Sequence, residues 1–320
     1  MATALLVVAG LFAVVAGAND GSSLLSPGLR VPGIRPVVSF AVLLVALAVG
    51  PLLIFSTKVA TTLAHGLVPF SGLEAQRVVL AATLSAMVVV FALVRAGLPT
   101  SLTLALVGAI TGAGLGAGLP VKAGELATIL LLGLAAPVVS ALLALLVAPL
   151  VLRLAGGAQT SRRLRRWHGA AFGLQCLAYS ANGGQKMLAV FAIAAGAASG
   201  GLVHDSWWLA IVISALFGLG VLVGLRNVSG RLGKGILAVH LRHAVVAEAC
   251  SFAVVTAAGL AGVPLTMSQS VAGALIGAGM SESRIRVRWP AALRMAGAWA
   301  VTLPASVAVA ALAGALTKGV

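Results

Sequence analysis

The chain has 320 residues, of which 61% are hydrophobic and 8% are charged, and its formal net charge is +15. Soluble domains are about 25% charged, so this composition excludes an ordinary water-soluble globule. The apolar runs are long enough for helical spans, which need about 20 residues, and they lack the alternation of barrel strands. We therefore predict an all-α polytopic membrane protein.

The predicted spans fall into two groups of five, separated by a basic stretch at 153–167. They are 2–18, 37–55, 77–95, 101–118, 125–152, then 170–200, 206–225, 244–260, 266–280 and 291–316. With the stretch 153–167 in the cytoplasm, most of the 21 Lys and Arg residues lie on the inner side, which is the positive-inside bias. The charge therefore indicates a multi-pass protein of the cell membrane with both termini outside, and no nucleic-acid partner.

The second half of the sequence repeats motifs of the first half in the same order. G-A-I-T-G-A-G at 108–114 returns as G-A-L-I-G-A-G at 273–279, and G-L-P-T-S-L-T at 97–103 returns as G-V-P-L-T-M-S at 262–268. G-A-N-D-G, which ends the first span, has a weaker echo in S-A-N-G-G of the sixth. Five spans are an odd number, so the second copy enters the membrane from the opposite side.

This organisation predicts a first repeat at 1–152, a basic cytoplasmic linker at 153–167 and a second, inverted repeat at 168–320. Inverted repeats are typical of secondary transporters, which hold their substrate near the midplane between the repeats. The sequence has no P-loop, so an ion gradient would have to drive transport.

Polar residues interrupt two spans at matching places. Asn19 and Asp20 end the first span, and Asn182, Gln185 and Lys186 lie close together in the sixth. Polar groups at membrane depth are costly and by default indicate function. The glycines beside them favour broken or re-entrant helices whose backbone faces a ligand or an ion. The alternatives are that Asp20 caps a helix at the interface and that Lys186 snorkels.

Two other polar stretches, 99–103 and 264–269, predict helix N-termini at membrane depth. Each places Pro just before Ser or Thr; Pro suits the first helical turn, and the hydroxyls cap free N–H groups. A helix N-terminus is the positive end of a dipole and binds anions. We expect hydroxyl donors for an oxyanion here, with ordinary interhelical bonding as the alternative. The four donors are Ser101, Thr103, Thr266 and Ser268.

Glu248 lies in the eighth span and has three interpretations. The first is that it pairs with Lys186, the second is that it carries a proton, and the third is that it forms a structural pair with a basic neighbour. With Asn19, Asp20 and Asn182 it forms the set of candidates for binding a coupling ion. The two cysteines lack metal-ligand spacing, and no nucleophile–base set of an enzyme is present. We therefore expect no enzymatic activity, metal site or cofactor other than coupling Na⁺ or H⁺.

At these residues the chain resembles the PiT family of inorganic phosphate transporters. That family carries a G-x-N-D motif near the start of each repeat and a G-x-P-x-S-T-T-H-like motif later in each. Residues 17–20 and 180–186 are similar to the first motif, and 99–103 and 264–269 to the second. The resemblance implies phosphate symport with sodium or protons, with the polar residues of these motifs lining the substrate and ion sites.

The chain departs from the family pattern in both repeats. Gly183 stands where the family has Asp, and Tyr179 where it usually has His; in the first repeat, Ser23 replaces a usual Asn. Losing a carboxylate removes either a cation ligand or a proton carrier. The expected partners are inorganic phosphate and the lipid bilayer, and a homodimer is one possible assembly. The alternatives are a sulfate or other oxyanion permease of the same fold, or a transport-inactive scaffold.

Overall fold

The structure is a computed structural model that describes residues 2–28, 34–53, 58–68, 72–96, 98, 100–155, 162–194, 207–228, 239–283 and 287–317. Several predictions concern residues outside these ranges. They are Pro99, the linker residues 156–161 and the end of the sixth predicted span at 195–200.

The described residues are almost entirely helical, and none of them forms a strand. The first half contains α1 (Ala2–Ala16), a π-helical turn (Gly17–Gly21), α2 (Ser22–Gly28), α3 (Pro36–Leu53), α4 (Lys58–Thr61), a second π-helical turn (Thr62–Gly66), α5 (Gly72–Arg95), α6 (Leu102–Ala117) and α7 (Ala123–Leu154). The second half contains α8 (Arg162–Tyr179), a third π-helical turn (Ser180–Gly184), α9 (Gln185–Ala194), α10 (Trp207–Val228), α11 (Leu241–Leu260), α12 (Met267–Met280) and α13 (Trp289–Ala315). Each of the ten predicted spans coincides with a helix, so the all-α prediction is confirmed.

Several helices are suited to a lipid environment. Six in the described part are long and apolar enough to cross a membrane, and large apolar side chains cover their outer faces. On α7, for example, Leu131 is 68% exposed and Leu146 is 75% exposed. A water-soluble monomer rarely exposes so wide an apolar surface. The chain is therefore a multi-pass membrane protein. The six helical stretches are Thr3–Leu25, Gln76–Arg95, Ala123–Leu154, Trp207–Leu225, Leu241–Leu260 and Trp289–Ala315.

The predicted helix breaks at Asn19 and Asn182 are wrong. Both residues lie in π-helical turns whose flanking residues keep right-handed helical dihedrals, so the helix continues through each turn. A π-turn inserts one extra residue into a turn and redirects the local backbone bonds without ending the helix. At the first turn the Ser22 hydroxyl donates to the Ala18 carbonyl at 2.5 Å. The first helical stretch consequently runs to Gly28, well beyond the predicted end at residue 18.

Part of the basic stretch 153–167 is helical, because α8 begins at Arg162. Its first two turns are amphipathic: Arg162 and Arg166 are exposed, whereas Leu164 is fully buried. A helix with one charged and one apolar face can project beyond the hydrocarbon core without losing its packing. Residues 162–167 therefore belong to the second half's first helix and not to a loop.

Glycines let the two halves pack closely against each other. A Cβ on Gly112 of α6 would overlap the Val307 carbonyl of α13, and a Cβ on Gly277 of α12 would overlap the Ala141 carbonyl of α7. Small residues allow such close backbone approach. Gly112 and Gly277 are 165 positions apart, so equivalent helices make equivalent contacts across the halves. The inverted orientation of the two repeats stays a prediction.

Candidate functional site

The predicted helix N-termini exist, and they meet. Ser101 and Thr266 are the residues that precede α6 and α12, both are at most 2% exposed, and their hydroxyl oxygens lie 2.8 Å apart. Ser101 also caps its helix, since its oxygen accepts the N–H of Leu104 at 3.2 Å. Thr266 was expected to cap α12 in the same way, but its hydroxyl bonds Ser101 and makes no capping bond.

A buried lysine lies beside these two helix starts. Lys186, which is 2% exposed, donates from Nζ to Oγ1 of Thr103 at 2.6 Å and to the carbonyl of Leu265 at 2.5 Å. The Thr103 hydroxyl in turn donates to the same carbonyl at 3.2 Å. Lys186 therefore does not snorkel to the interface, and its ammonium group joins the start of α6 to the segment before α12.

The two asparagines of the π-turns hold equivalent segments. Asn182 donates to the carbonyl of Val263 at 2.9 Å and accepts the N–H of Leu265 at 3.0 Å. Asn19 accepts the hydroxyl of Thr100 at 3.1 Å. Thr100 and Leu265 are 165 positions apart and lie just before α6 and α12. Each asparagine therefore holds the segment that leads into the helix of its own half.

Asp20 is the buried carboxylate of the site, at 4% exposed. One oxygen accepts the side-chain amide of Asn19 at 2.9 Å and the other accepts the Tyr179 hydroxyl at 3.4 Å. Asp20 also interacts electrostatically with Lys186. The expectation that Asp20 belongs with the other motif residues, and not to an isolated cap, agrees with these contacts. Gly183, its counterpart in the second half, lies beneath the Tyr179 ring, where a Cβ would be 2.5 Å from two ring atoms.

Two predicted site residues stand slightly apart from this cluster. The side-chain oxygen of Gln185 accepts the backbone N–H groups of Val59 at 2.9 Å and Ala60 at 3.2 Å, so it caps the short helix α4. Ser268 lies on the first turn of α12, and its buried hydroxyl makes no hydrogen bond with any residue that the structure describes. No hydrogen bond therefore joins Ser268 to the cluster among the described residues.

Glu248 does not pair with Lys186. One of its carboxylate oxygens lies 2.8 Å from Nδ1 of His168, and both side chains are buried. Close by, Gln175 donates to the Ser251 hydroxyl at 2.8 Å. Of the three interpretations of Glu248, pairing with a basic neighbour is the one that the contacts support.

A second ion-pair cluster joins the start of α11 to the end of α12. The Glu282 carboxylate accepts from Arg242, and it lies 2.9 Å from Nε2 of His243. Partial burial of Glu282 opposes ionisation, but the hydrogen bonds and positive charges of Arg242 and His243 outweigh it and hold the pKa of Glu282 down to about 2. This cluster stabilises the contact between the two helices.

The central cluster offers oxygen atoms to a cation, but no transition-metal site. Among the described residues, no three His, Cys, Asp or Glu side chains lie close enough to hold a metal ion. The Asp20 carboxylate, the Thr103 hydroxyl and the Leu265 carbonyl are instead hard oxygen ligands of the kind that alkali and other hard cations accept. The cluster thus brings hydroxyl and ammonium donors together with oxygen acceptors.

Comparison with known proteins identifies the family. The family model described as "Phosphate transporter family" matches residues 16–175 and 158–310. The chain belongs to the phosphate transporter family. The resemblance expected from the sequence motifs is thereby confirmed, and membership of a transporter family confirms that the chain is not an enzyme.

Related proteins align with about half or with nearly all of the chain. A Mycobacterium bovis protein described as "Probable low-affinity inorganic phosphate transporter" is 29% identical over 323 residues, covering 95% of this chain and 73% of the relative. A Bacillus subtilis protein with the same description is 25% identical over 161 residues, covering 49% and 47%. A solved structure titled "The sodium-dependent phosphate transporter" superposes with a TM-score of 0.82 at 17% identity, covering 98% of this chain and 99% of that one. This likeness shows a common fold.

The motifs of the phosphate transporter family did not reveal every residue of the site. Thr100 lies in the predicted stretch 99–103 but was not among the expected donors, His168 was not among the expected site residues, and Tyr179 was considered only as a departure from the family pattern. His168 and Gln175 are seven positions apart and so share one face of α8, as do Glu248 and Ser251, three apart on α11. Matching these two polar faces would have indicated the buried pair of His168 and Glu248.

Proposed function

We propose that this chain transports inorganic phosphate across the cell membrane as a secondary active symporter, driven by a sodium or proton gradient through alternating access. The observation that carries the proposal is the 2.8 Å contact between the Ser101 and Thr266 hydroxyls, beside the buried ammonium of Lys186. Two helix N-termini with their positive dipole ends and one full positive charge converge on this point. Family membership and the names of the relatives support phosphate as the substrate.

Hydroxyl groups and an ammonium can exchange their mutual bonds for bonds to an oxyanion. Ser101 and Thr266 each hold a hydroxyl that bonds the other, and each can turn its proton toward a negatively charged oxygen. Such charge-assisted hydrogen bonds contribute about 1.5–3 kcal/mol each. Thr103, Ser268 and Lys186 supply further donors around the same helix starts. These five residues are the proposed anion ligands.

The acceptor atoms of the site favour phosphate over sulfate. The carboxylate of Asp20 and the carbonyl of Leu265 can both accept a proton donor. Hydrogen phosphate keeps at least one O–H group near neutral pH, whereas sulfate has none to donate. A site built to bond a hydroxyl discriminates strongly against an analogue that lacks it. Both acceptors already accept protein donors, and the O–H group of hydrogen phosphate adds one further hydrogen bond to them that sulfate cannot make.

Asn19, Asn182 and Gln185 are proposed to position the site and not to bind the anion directly. Their side-chain oxygens accept from Thr100, from Leu265 and from the start of α4, respectively. Removing any of them would let a helix start move away from the substrate. Asn19 and Asp20 remain candidates for a coupling ion, as does Asn182, and Glu248 is a candidate proton carrier.

Uptake of labelled phosphate into proteoliposomes tests this function. Ser101→Ala and Thr266→Ala should each raise the apparent KM roughly 10- to 150-fold, the equivalent of one charge-assisted hydrogen bond. The control is Thr83→Ala, which removes a buried hydroxyl that bonds the Val79 carbonyl within α5 at 2.8 Å. That variant should keep the wild-type KM.

The same assay separates the alternatives. Excess sulfate should not reduce phosphate uptake. If the protein takes up labelled sulfate, and unlabelled sulfate but not phosphate reduces that uptake, the chain is a sulfate permease. If the folded protein takes up neither anion under a sodium or a proton gradient, a transport-inactive scaffold is favoured. An unchanged KM in both hydroxyl variants would remove the helix starts from the substrate site.

A further inference from the structure

The Lys186 ammonium is surrounded by oxygen atoms in the way that a bound cation would be. Its nearest partners are the Leu265 carbonyl at 2.5 Å and the Thr103 hydroxyl at 2.6 Å, and the Asp20 carboxylate interacts with it electrostatically. Carbonyls of irregular backbone near a helix end, together with hydroxyl and carboxylate oxygens, are the usual ligands of coupling sodium ions in transporters. Leu265 lies in such a segment, between α11 and α12.

The charged residues of the cluster are divided between the two halves of the chain. The first half supplies Asp20, and the position that corresponds to Lys186 is Ser23, whose hydroxyl donates to the Asn19 carbonyl at 2.7 Å. The second half supplies Lys186, and the position that corresponds to Asp20 is Gly183. Each half therefore lacks the charged group that the other one contributes.

Tyr179 fills the space where a second carboxylate would lie. Its ring covers Gly183 so closely that even a Cβ there would be 2.5 Å from two ring atoms, and the ring packs on Phe217 with centroids 5.4 Å apart. Its hydroxyl donates to Asp20 at 3.4 Å. The cluster thus contains one carboxylate and one ammonium, which balance each other in a low-dielectric environment where an unpaired charge is costly.

We propose that Lys186 is a built-in cation that takes the place of a coupling sodium ion, so that phosphate uptake by this chain does not require sodium. The proposal rests on the proposed phosphate transport and narrows its driving ion. A sodium ion on the same oxygens would overlap the ammonium, and among the residues that the structure describes the cluster has no second carboxylate to balance its charge. The matched solved structure is titled as sodium-dependent, and this chain would differ from it in that respect.

Thermal unfolding of the purified protein tests the proposal without relying on transport. Sodium chloride is exchanged for choline chloride at constant ionic strength, and the unfolding temperature Tm is followed. A ligand that binds only the folded state raises Tm with its concentration. We expect the Tm of the wild type to be the same in both salts. Lys186→Ala frees the oxygens around Nζ, and its Tm should rise as sodium is added.

Lys58→Ala is the matched control. Lys58 also donates to a backbone carbonyl, that of Leu260 at 3.2 Å, but it is exposed and makes no contact with a carboxylate among the described residues. Sodium should leave the Tm of this variant unchanged. If Lys186→Ala does not fold, Lys186→Met replaces it, because methionine keeps the apolar stem of the side chain. The Tm of the wild type in the two salts still tests whether the protein binds sodium.

The outcomes are distinguishable. Sodium raising the Tm of the wild type, or sodium failing to raise the Tm of a folded Lys186→Ala protein, overturns the proposal. In proteoliposomes, wild-type uptake in choline should stay within about twofold of uptake in sodium, and a loss of about tenfold or more would also overturn it. Absence of phosphate uptake in every salt contradicts the proposed function, while the Tm measurements still test the role of Lys186.

Discussion

Replacing Gly183 by alanine would place one methyl group beneath the ring of Tyr179. The new Cβ would lie 2.5 Å from two ring carbons, which is about 1 Å inside the normal contact distance of carbon atoms. The ring has little room to move, since it is 2% exposed and packs against Phe217. Either the ring or the π-helical turn must therefore shift.

The change in the free energy of unfolding caused by Gly183→Ala follows from two opposing contributions. Overpacking of this kind costs about 1–3 kcal/mol, whereas alanine gains about 1 kcal/mol over glycine in helix propensity. Gly183→Ala should therefore lower the free energy of unfolding by up to about 2 kcal/mol. Tyr179→Ala alone should cost about 3–5 kcal/mol, because it removes a buried aromatic ring. Without the ring the methyl group meets no obstacle, so the double variant should be more stable than the sum of the two single effects indicates.

Unfolding of the four proteins in detergent measures this coupling. We expect an interaction free energy of about 1–3 kcal/mol between the two positions. Gly173→Ala in α8 is the control, since a Cβ there meets nothing within 4 Å, and it should be neutral or slightly stabilising. Single effects that add to within about 0.5 kcal/mol would refute the reasoning that Tyr179 occupies the carboxylate position.

Three further predictions concern stability. Gly277→Ala, whose Cβ would overlap an α7 carbonyl, should cost about 1–3 kcal/mol, whereas Gly133→Ala, with nothing within 4 Å, should be neutral; equal Tm values would contradict this. Asn182→Ala leaves one buried N–H and one buried carbonyl unpaired, and should cost about 1–3 kcal/mol for each in unfolding experiments; an unchanged stability would argue against its positioning role. The pKa of Glu282 is lowered from 4.5 to about 2, so its stabilising effect is complete above about pH 4.5 and is lost as the pH falls toward 2; over this range Tm should fall more for the wild type than for Glu282→Gln, and parallel curves would exclude the ion pair.

The features that the sequence predicted correctly are those that depend on local chemistry. Continuous apolar runs need helices in a membrane, and Ser101 caps α6 because short hydroxyl side chains satisfy free N–H groups. The repeated motifs also indicated that Ser101 and Thr266 are equivalent, and their contact follows from that equivalence. Lys186 was rightly placed in a polar environment, because a buried ammonium needs oxygen partners.

The features that the sequence did not predict depend on how helices approach each other. Glycines beside Asn182 are compatible with a broken helix and with a π-turn, and only the packing of neighbouring helices selects between them. Tyr179 and Gly183 are four positions apart and so lie on one helix face, but the sequence does not fix that the ring packs against Phe217 and that its hydroxyl donates to Asp20. Likewise, the partner of Glu248 could have been any basic residue, because the sequence does not fix which faces of α8 and α11 meet.

The glycine contacts of α6 and α12 limit how the molecule can move and how it could have arisen. The glycines of α6 fit the backbone of α13, and those of α12 fit the backbone of α7, so each half encloses a helix of the other. If the proposed transport proceeds by two bodies rocking against each other, these close contacts favour bodies that each combine helices from both halves of the chain. By the same geometry, an ancestor of half this length could have covered its glycine-lined helix only by exchanging its last helix with a second copy of itself.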